Sequence, residues 1–586
     1  MKANPKFTKT CLLALATLSS KFLHTQSRQV FQKEFSMKTL SAIFAVSLSI
    51  LPAQAEWLWP SEPPAGCPAA KSEAATGIVF TGRHAEYTGA DTWYPSWGAD
   101  GRLYSPFTDG SVNGVRSFSG GKDAVVGHAV IAGDDPLKLQ VLEPGTIPGN
   151  PAPYGGRYPG GSLMHNGIWY IGTYGLANDN YGLNWPILGP CAGFHISKDL
   201  GKTWTPSPRS TEPGKALFPE PTKFKDPIKL GSPHFVDFGK NMEHSPDGKA
   251  YLVGHGATER DLEDRKANAS WITGDQIYLC RVVPSPETIN DPAAYEFFAG
   301  NDTDGKAIWS ADFASIKPIF EWDNRLGCVT ITYNAPLKKY LMCVTDGGTT
   351  ESKYNTGIFE ADQMTGPWKL VTWMQDFGVQ AYFVNIPSKF ISDDGRTLWL
   401  CYSANFCNVM WGRQAYRADP PGSGYAMCLQ ELRLLKPGEA PPQETPLTSR
   451  ANMAREAKVA ASSTHKDSAV AGLTDGVAGG FPGDNANEWC SNGERDGAFV
   501  RLAWEAPVTI GKITLYDRPN DLDQVQAGLL VFSDGTTLPG GELADDGKTG
   551  TEVTFAPKTV SWVAFFVTKV KPSTRNIGLS EITVAK

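Results

Sequence analysis

From Gly77 to Leu435 the chain alternates short apolar runs with polar turns, at the two-residue period of half-buried strands. Thr92–Gly110 reads as two strands joined at Ala99-Asp100-Gly101, and the run from Gly161 to Tyr174 turns at Asn166-Gly167. Gly231–Gly256 reads as a strand over His234–Phe238, a polar loop over Gly239–Lys249 with a Pro246-Asp247-Gly248 turn, and a strand over Ala250–Gly254. Further pairs turn near Asn334–Lys338 and at Ser392–Thr397. Such pairs recur about sixty to eighty residues apart, as supersecondary units rather than exact repeats. The expectation is an all-β chain: a β-propeller of about five blades over 56–435.

Ser197-Lys198-Asp199-Leu200-Gly201-Lys202-Thr203-Trp204 fits S-x-D-x-G-x-T-W, the Asp-box of sialidase-type propellers. In such a turn Asp accepts backbone N–H groups, Gly takes positive φ and Trp packs between blades. Asp199 is therefore expected to be structural, and Ser392–Thr397 reads as a degenerate copy. Residues 436–450, rich in Pro, Glu and Thr, read as a linker. Residues 451–586 then show short amphipathic strands and a closing strand, as a small β-sandwich of the jelly-roll kind would.

Composition narrows the class. Gly 60, Pro 43 and Trp 17 in 586 residues suit a turn-rich β protein. Seven basic residues and one acidic residue fall in 1–55, so the rest carries a net charge of −13, against nucleic acid as a partner. Met37-Lys38, the apolar Leu40–Leu51 and Ala53-Gln54-Ala55 read as a secretory signal, with the true start at Met37 and cleavage after Ala55. The expected location is secreted or periplasmic, with no transmembrane segment. An oxidising compartment allows disulfides. Cys401–Cys407 and Cys328–Cys343 either bridge strand ends or stay buried thiols. No Cys or His spacing fits a metal cluster.

Two resemblances follow. Residues 451–586 resemble the discoidin-like (coagulation factor type C) domain through Asn452-Met453-Ala454, Leu473-Thr474-Asp475-Gly476, Glu488-Trp489, Val500-Arg501-Leu502 and Gly578-Leu579-Ser580-Glu581-Ile582. The resemblance implies a carbohydrate-binding module with a structural Ca²⁺ held near Asp475 and Glu581, alongside the reading of those residues as a solvated turn and an edge Glu. Residues 77–435 resemble the bacterial propellers of domain of unknown function 4185, some of which are endo-D-arabinanases, through the Asp-box, Phe235-Val236-Asp237-Phe238-Gly239-Lys240-Asn241 and Tyr333-Asn334-Ala335-Pro336-Leu337-Lys338-Lys339-Tyr340. That resemblance implies a glycan-active propeller.

Hydrolysis of a glycosidic bond needs two carboxylates flanking it. Glu243, Asp109, Asp237 and Asp91 are the candidates, with Glu243 first and Asp109 or Asp237 as its partner. His255 joins them as a catalytic candidate. Arg325, Tyr333, His165, His244, Asn241 and Trp93 are candidates for substrate binding, Trp93 with Tyr94 and Trp185 as exposed stacking rings. A polysaccharide lyase using His165, His244, His255, Tyr333 and Arg325 is the first alternative, and a non-catalytic glycan-binding or adhesion protein the second. The reading is a monomeric, secreted glycan hydrolase that takes a polysaccharide and needs no cofactor for its chemistry.

Overall fold

The computed structural model describes residues 56–59, 62–121, 123–148, 156–177, 187–221, 226–259, 270–347, 352–406, 418–442 and 452–586. The expected signal region, Trp185, Cys407 and linker residues 443–450 lie outside them. The chain is all-β, as its alternation predicts. Five antiparallel sheets follow one another, and their innermost strands are Gly89–Asp91 with Ser96–Trp97, then Gly156–His165, Gly231–Phe235, Gly327–Asn334 and Tyr382–Asn385. Each sheet touches the next, and the strand Met427–Leu434 of the fifth touches Gly89–Asp91 of the first. The fifth sheet takes its outer strand from the other end of the fold: Ile78–Tyr87 pairs antiparallel with Met427–Leu434. One cavity is lined by Tyr94, Ser162, His234, Thr330 and Asn385, one residue from each sheet, as the axis of a five-bladed propeller would be.

One irregularity repeats around that axis. In sheets two to five, two residues of the inner strand oppose one residue of its neighbour: Gly160-Gly161 opposite Gly172, Ser232-Pro233 opposite Gly254, Cys328-Val329 opposite Val344, and Phe383-Val384 opposite Tyr402. These are β-bulges, which bend a strand and re-aim its side chains. Ser232, Cys328 and Phe383 hold φ of 47°, 45° and 52°, and Thr92 of the first sheet holds 64°. The residues just past these four bulges, Ser162, His234, Thr330 and Asn385, are among those that line the cavity.

The turns behave as read. Asp199 Oδ1 accepts from Thr203 N at 2.9 Å and Ser197 Oγ at 2.8 Å, while Oδ2 accepts from Thr203 Oγ1 at 2.6 Å. Those bonds hold its carboxyl down at about 2. The Trp204 ring lies 5.1 Å from His128 of the first sheet and 5.1 Å from Trp169 of the second, so it packs between sheets. Ser392 Oγ donates to Asp394 Oδ1 at 2.6 Å in the degenerate copy. One expectation is corrected, and one pair of alternatives is decided. Trp93 is 1% exposed, stacked on Phe107 at 5.3 Å, and Tyr94 is buried too, because residues 92–95, between the inner strands Gly89–Asp91 and Ser96–Trp97, pack into the fold. Cys328 and Cys343 are separate thiols: Cys343 faces Thr330 in the ladder, whereas Cys328 sits in the bulge and donates to Trp271 O.

Residues 452–586 form their own β unit. Its main sheet runs Lys458–Ala461, Phe499–Tyr516, Thr551–Val570, Val525–Phe532, Thr537–Pro539, with Glu581–Ala585 against Phe499–Tyr516 and a second, two-stranded sheet beside it. Trp489, Leu515, Phe565 and Ile582 are among its core residues. Arg518 is buried there and bonded to Glu488 through both Nη2 (2.7 Å) and Nε (3.0 Å).

Candidate functional site

The inner strands have two ends. At the hairpin end stand the turns that join first and second strands. The other end of the inner strands, termed the mouth below, lies outside the lining of the cavity, which reaches toward Asp237, Gly239 and Met242; there stand Gly231 opposite His255, Gly327 opposite Thr345, Tyr382 opposite Ser403 and Asp91 opposite Thr108. The sequence-derived candidates divide between these ends.

Asp237, Asn241, Glu243, His244, His165 and Tyr333 stand at the hairpin end. Asp237 accepts from Gly239 N at 3.0 Å, Ser388 N at 2.7 Å and Ser388 Oγ at 2.7 Å, while its own N–H donates to Ile331 O. Hydrogen bonds to a charged group are worth roughly 1.5–3 kcal/mol each, so this carboxylate is a clamp joining sheets three, four and five. Burial pushes its carboxyl up, and the bonds from Ser388 push it back. Asn241 Oδ1 accepts from Asn166 N at 2.7 Å, and its carbonyl lies 3.2 Å from His165 Nδ1, which ties sheet two to sheet three. The Glu243 side chain is 51% exposed, and Nε2 of His244 is 3.8 Å from it. The His244 ring lies 5.9 Å from Tyr333. Polar density in this segment is largely stapling between sheets.

His255 and Arg325 stand at the mouth. His255 is fully buried, its Nε2 3.1 Å from Ser270 O, and burial lowers it to about 4, so it is neutral. Arg325 Nη1 pairs with Asp346 Oδ2 at 2.6 Å, and Asn355 Nδ2 bonds the same oxygen at 2.9 Å. The histidine, tyrosine and arginine set that a lyase would draw on is therefore split between opposite ends.

Asp91 and Asp109 meet at the mouth, where the first and fifth sheets join. Asp91 is 6% exposed, and its Oδ2 accepts from Tyr382 O–H at 2.5 Å while Oδ1 accepts from Thr92 Oγ1 at 3.1 Å. Asp109 is half-buried at φ 47°. Its Oδ1 accepts from Ser119 N at 2.7 Å, and its Oδ2 from Ser119 Oγ. Tyr425 O–H donates to Asp109 O at 2.9 Å. Gly110 permits the arrangement, since a Cβ there would stand 2.1 Å from Gly89 O. Burial first, then the nearby Asp109 charge, raises Asp91 well above the ordinary aspartate value. Burial also raises Asp109, against the two bonds from Ser119. Two like charges that close disfavour each other's ionisation. Tyr158, near both, is likewise held in its neutral form by burial and by the Asp109 charge. Sequence reading noted that these two aspartates flank one strand but ranked Glu243 above them. It missed Tyr425, Tyr158 and Ser119, which come from remote segments and carry no local pattern.

In the C-terminal unit, Glu581 is fully buried and its Oε2 accepts from Gly476 N at 2.9 Å, beside Asp475, whose Oδ1 accepts from Val477 N at 2.8 Å. Hard carboxylate oxygens at one turn are the donor type Ca²⁺ takes. Among the described residues no group of three or more His, Cys, Asp or Glu could hold a metal by side chains alone.

Residues 452–585 match the family described as domain of unknown function DUF7402. No curated protein matches the chain. Among solved structures, the same part is similar to a module titled CpGH89CBM32-5 from Clostridium perfringens, in complex with GalNAc-β-1,3-galactose, at 16% identity, covering 23% of this chain and 97% of that one, TM-score 0.20. It is similar to chitosan-binding module 1 of a chitosanase/glucanase from Paenibacillus sp. IK-5 at 17% identity, covering 23% and 98%, TM-score 0.19. It is also similar to the lectin domain of lectinolysin complexed with Lewis B antigen, at 22% identity, covering 23% and 96%, TM-score 0.20. At that depth the similarity assigns no function to this chain. No helix among the described residues is long and apolar enough to cross a membrane.

The raised Asp91 carboxyl has a signed consequence. Its protonated form favours the fold, a contribution complete below the ordinary pKa of about 4 and lost as pH rises through the raised value. Asp91→Asn, which cannot ionise, raises Tm at about pH 7 and leaves Tm at about pH 4 unchanged. A variant that melts lower at neutral pH than at acid pH, relative to wild type, contradicts the burial argument.

Proposed function

We propose that the protein hydrolyses a glycosidic bond of a polysaccharide where the first and fifth sheets join, with Asp91 and Asp109 as the carboxylate pair. The observation that carries this reading is the pair itself: a buried and a half-buried aspartate, both raised above their ordinary values, the charge of Asp109 acting on Asp91, with the Tyr382 and Tyr425 hydroxyls bonded to them. Such groups titrate as a dyad. Asp109, more exposed and bonded by two Ser119 donors, is the member that carries the charge, as base or nucleophile. Asp91, deeper and raised further, is the member that keeps a proton to give to the leaving oxygen. Trp271, whose ring stacks on Phe383 at 5.3 Å, offers a half-buried apolar face near the mouth for a sugar ring. The discoidin-like unit is the part we assign to holding the chain on its glycan. This reading replaces Glu243 and Asp237, which stand at the far end.

The activity test uses the full chain on a panel of neutral and uronate-containing polysaccharides. Reducing ends and the ultraviolet absorbance of unsaturated products are followed together. Hydrolysis gives reducing ends alone; Asp91→Asn and Asp109→Asn each lower its rate by about 100-fold or more, while Glu243→Gln leaves it within about twofold of wild type. Unsaturated products instead indicate a lyase, and loss of activity in Glu243→Gln moves the site to the hairpin end. Binding to one glycan with no cleavage on any substrate favours the adhesion alternative.

We also propose that Glu581, Asp475 and carbonyl oxygens of their turn hold a structural Ca²⁺. Chelation then lowers the melting temperature of wild-type protein, added Ca²⁺ restores it, and Glu581→Gln shows neither change. A wild-type Tm indifferent to chelator removes the metal from the account.

A further inference from the structure

The hydroxyl that holds the deeper aspartate is itself held. Tyr382 lies on the inner strand Tyr382–Asn385 and is 1% exposed. The Trp271 ring stands edge-on to its ring at 5.2 Å, and the Phe406 ring lies 5.9 Å away. Ser403 stands opposite Tyr382 in the ladder. Its Oγ accepts from Thr92 N at 3.2 Å and donates to Ala426 O at 2.8 Å. One serine thus ties the Asp91-Thr92 backbone to the strand beside Tyr382. Across that tie, Tyr382 O–H donates to Asp91 Oδ2 at 2.5 Å, in the range of hydroxyl–carboxylate bonds.

The titratable groups around this bond are Asp109 and the hydroxyls of Tyr94, Tyr158, Tyr174 and Tyr425. Burial raises these four tyrosines and Tyr382 itself, so each is a neutral hydroxyl at about pH 7. Tyr425 directs its hydrogen to Asp109 O. Tyr382 and Thr92 donate to the two carboxyl oxygens of Asp91, and the Tyr382 bond is the shorter, 2.5 Å against 3.1 Å. Burial and the Asp109 charge raise the Asp91 carboxyl, and the Tyr382 bond is the largest influence that pulls it back. A hydrogen bond to the charged form of a carboxyl favours that form.

We infer that Tyr382 is a positioning residue of the hydrolysis proposed above: it fixes the Asp91 carboxyl and stabilises the carboxylate that Asp91 becomes in the acid step. The inference rests on that reading. In the step, the Asp91 O–H bond breaks and its proton goes to the leaving oxygen, which also takes the electron pair of the glycosidic C–O bond. The anomeric carbon bonds instead to Asp109 or to the water that Asp109 activates, and water later returns a proton to Asp91. A buried carboxylate formed without a donor is costly. Tyr382 places the donor before the charge appears, from a ring already packed, so nothing has to reorganise as the charge develops.

The test compares the full chain with Tyr382→Phe, which keeps the ring and removes the donor. On the polysaccharide, kcat falls about 10- to 100-fold while KM stays within about twofold. On an aryl glycoside of the same sugar, whose phenolate leaves without a proton, the loss shrinks to within about threefold. The Asp91 titration, followed through the carbonyl stretch of its protonated form, moves up by about 1 pH unit or more, and the basic limb of the rate profile moves with it. Equal losses on both substrates, or an unmoved titration, overturn the inference. Failure of the underlying reading shows separately. A wild type without hydrolysis, or an Asp91→Asn variant as active as wild type, overturns both, whereas loss of rate in Asp91→Asn with none in Tyr382→Phe overturns only the role of Tyr382. Should Tyr382→Phe fail to fold, 3-fluorotyrosine at position 382, a stronger donor, decides: it moves the Asp91 titration down if the inference holds and leaves it in place if not.

Discussion

The bulge in the inner strands of sheets two to five is the constraint on which the rest depends. Two residues must fit opposite one, at the same level in sheets two to five. Without it, the period-two alternation of a strand would send every second residue into the cavity along its whole length. With it, the side-chain phase changes midway. Tyr94, Ser162, His234, Thr330 and Asn385 are turned toward the axis, while Asp91 and Tyr382, on the other side of the bulge, meet each other at the mouth. The left-handed backbone at Ser232, Cys328 and Phe383 is the local cost of that change, of order 1–3 kcal/mol at each non-glycine residue. Sheet two meets the same demand with Gly160-Gly161, at no side-chain penalty.

The two ends of the inner strands are built on different energetics. At the hairpin end, carboxylates and amides are saturated with donors and acceptors from neighbouring sheets, as Asp237 and Asn241 are. Saturation favours the fold and leaves little for chemistry. Desolvation raises Asp91, Asp109 and Asp237 alike against their hydrogen bonds, and Asp91, on which the Asp109 charge also acts, is raised furthest above the ordinary value. Perturbed carboxyls of this kind are enriched at functional sites.

The sequence made the architecture legible and the site only in part. The strand alternation, the Asp-Gly and Asn-Gly turns and the Asp-box all report local conformation, so five sheets and their turns could be read directly. The closure by Ile78–Tyr87 could not, because it joins residues some 350 positions apart with no local signal. The density of ionisable residues over Gly231–Gly256 corresponds largely to hydrogen bonds between sheets. Density along the chain does not distinguish a carboxylate clamped by Ser388 from one desolvated beside another, and the partners that decide, Tyr382 for Asp91 and Ser388 for Asp237, lie 291 and 151 residues away. Trp93 misled for a related reason: its Gly- and polar-rich surroundings look like an open loop, but they pack into the fold, with the ring on Phe107.

The central claim is that burial and the Asp109 charge raise the Asp91 carboxyl well above its ordinary value. Infrared difference spectroscopy between wild type and Asp91→Asn, through the carbonyl stretch of protonated carboxylic acids, tests it most directly. The account predicts a band at about pH 7 that is present in wild type and absent in the variant, with any contribution from Glu220 and Asp517, both raised to about 7, common to the two proteins. Identical carbonyl regions in the two spectra, with the difference appearing only in the carboxylate bands, would mean that Asp91 is ionised and that the pair at the mouth is not the dyad described.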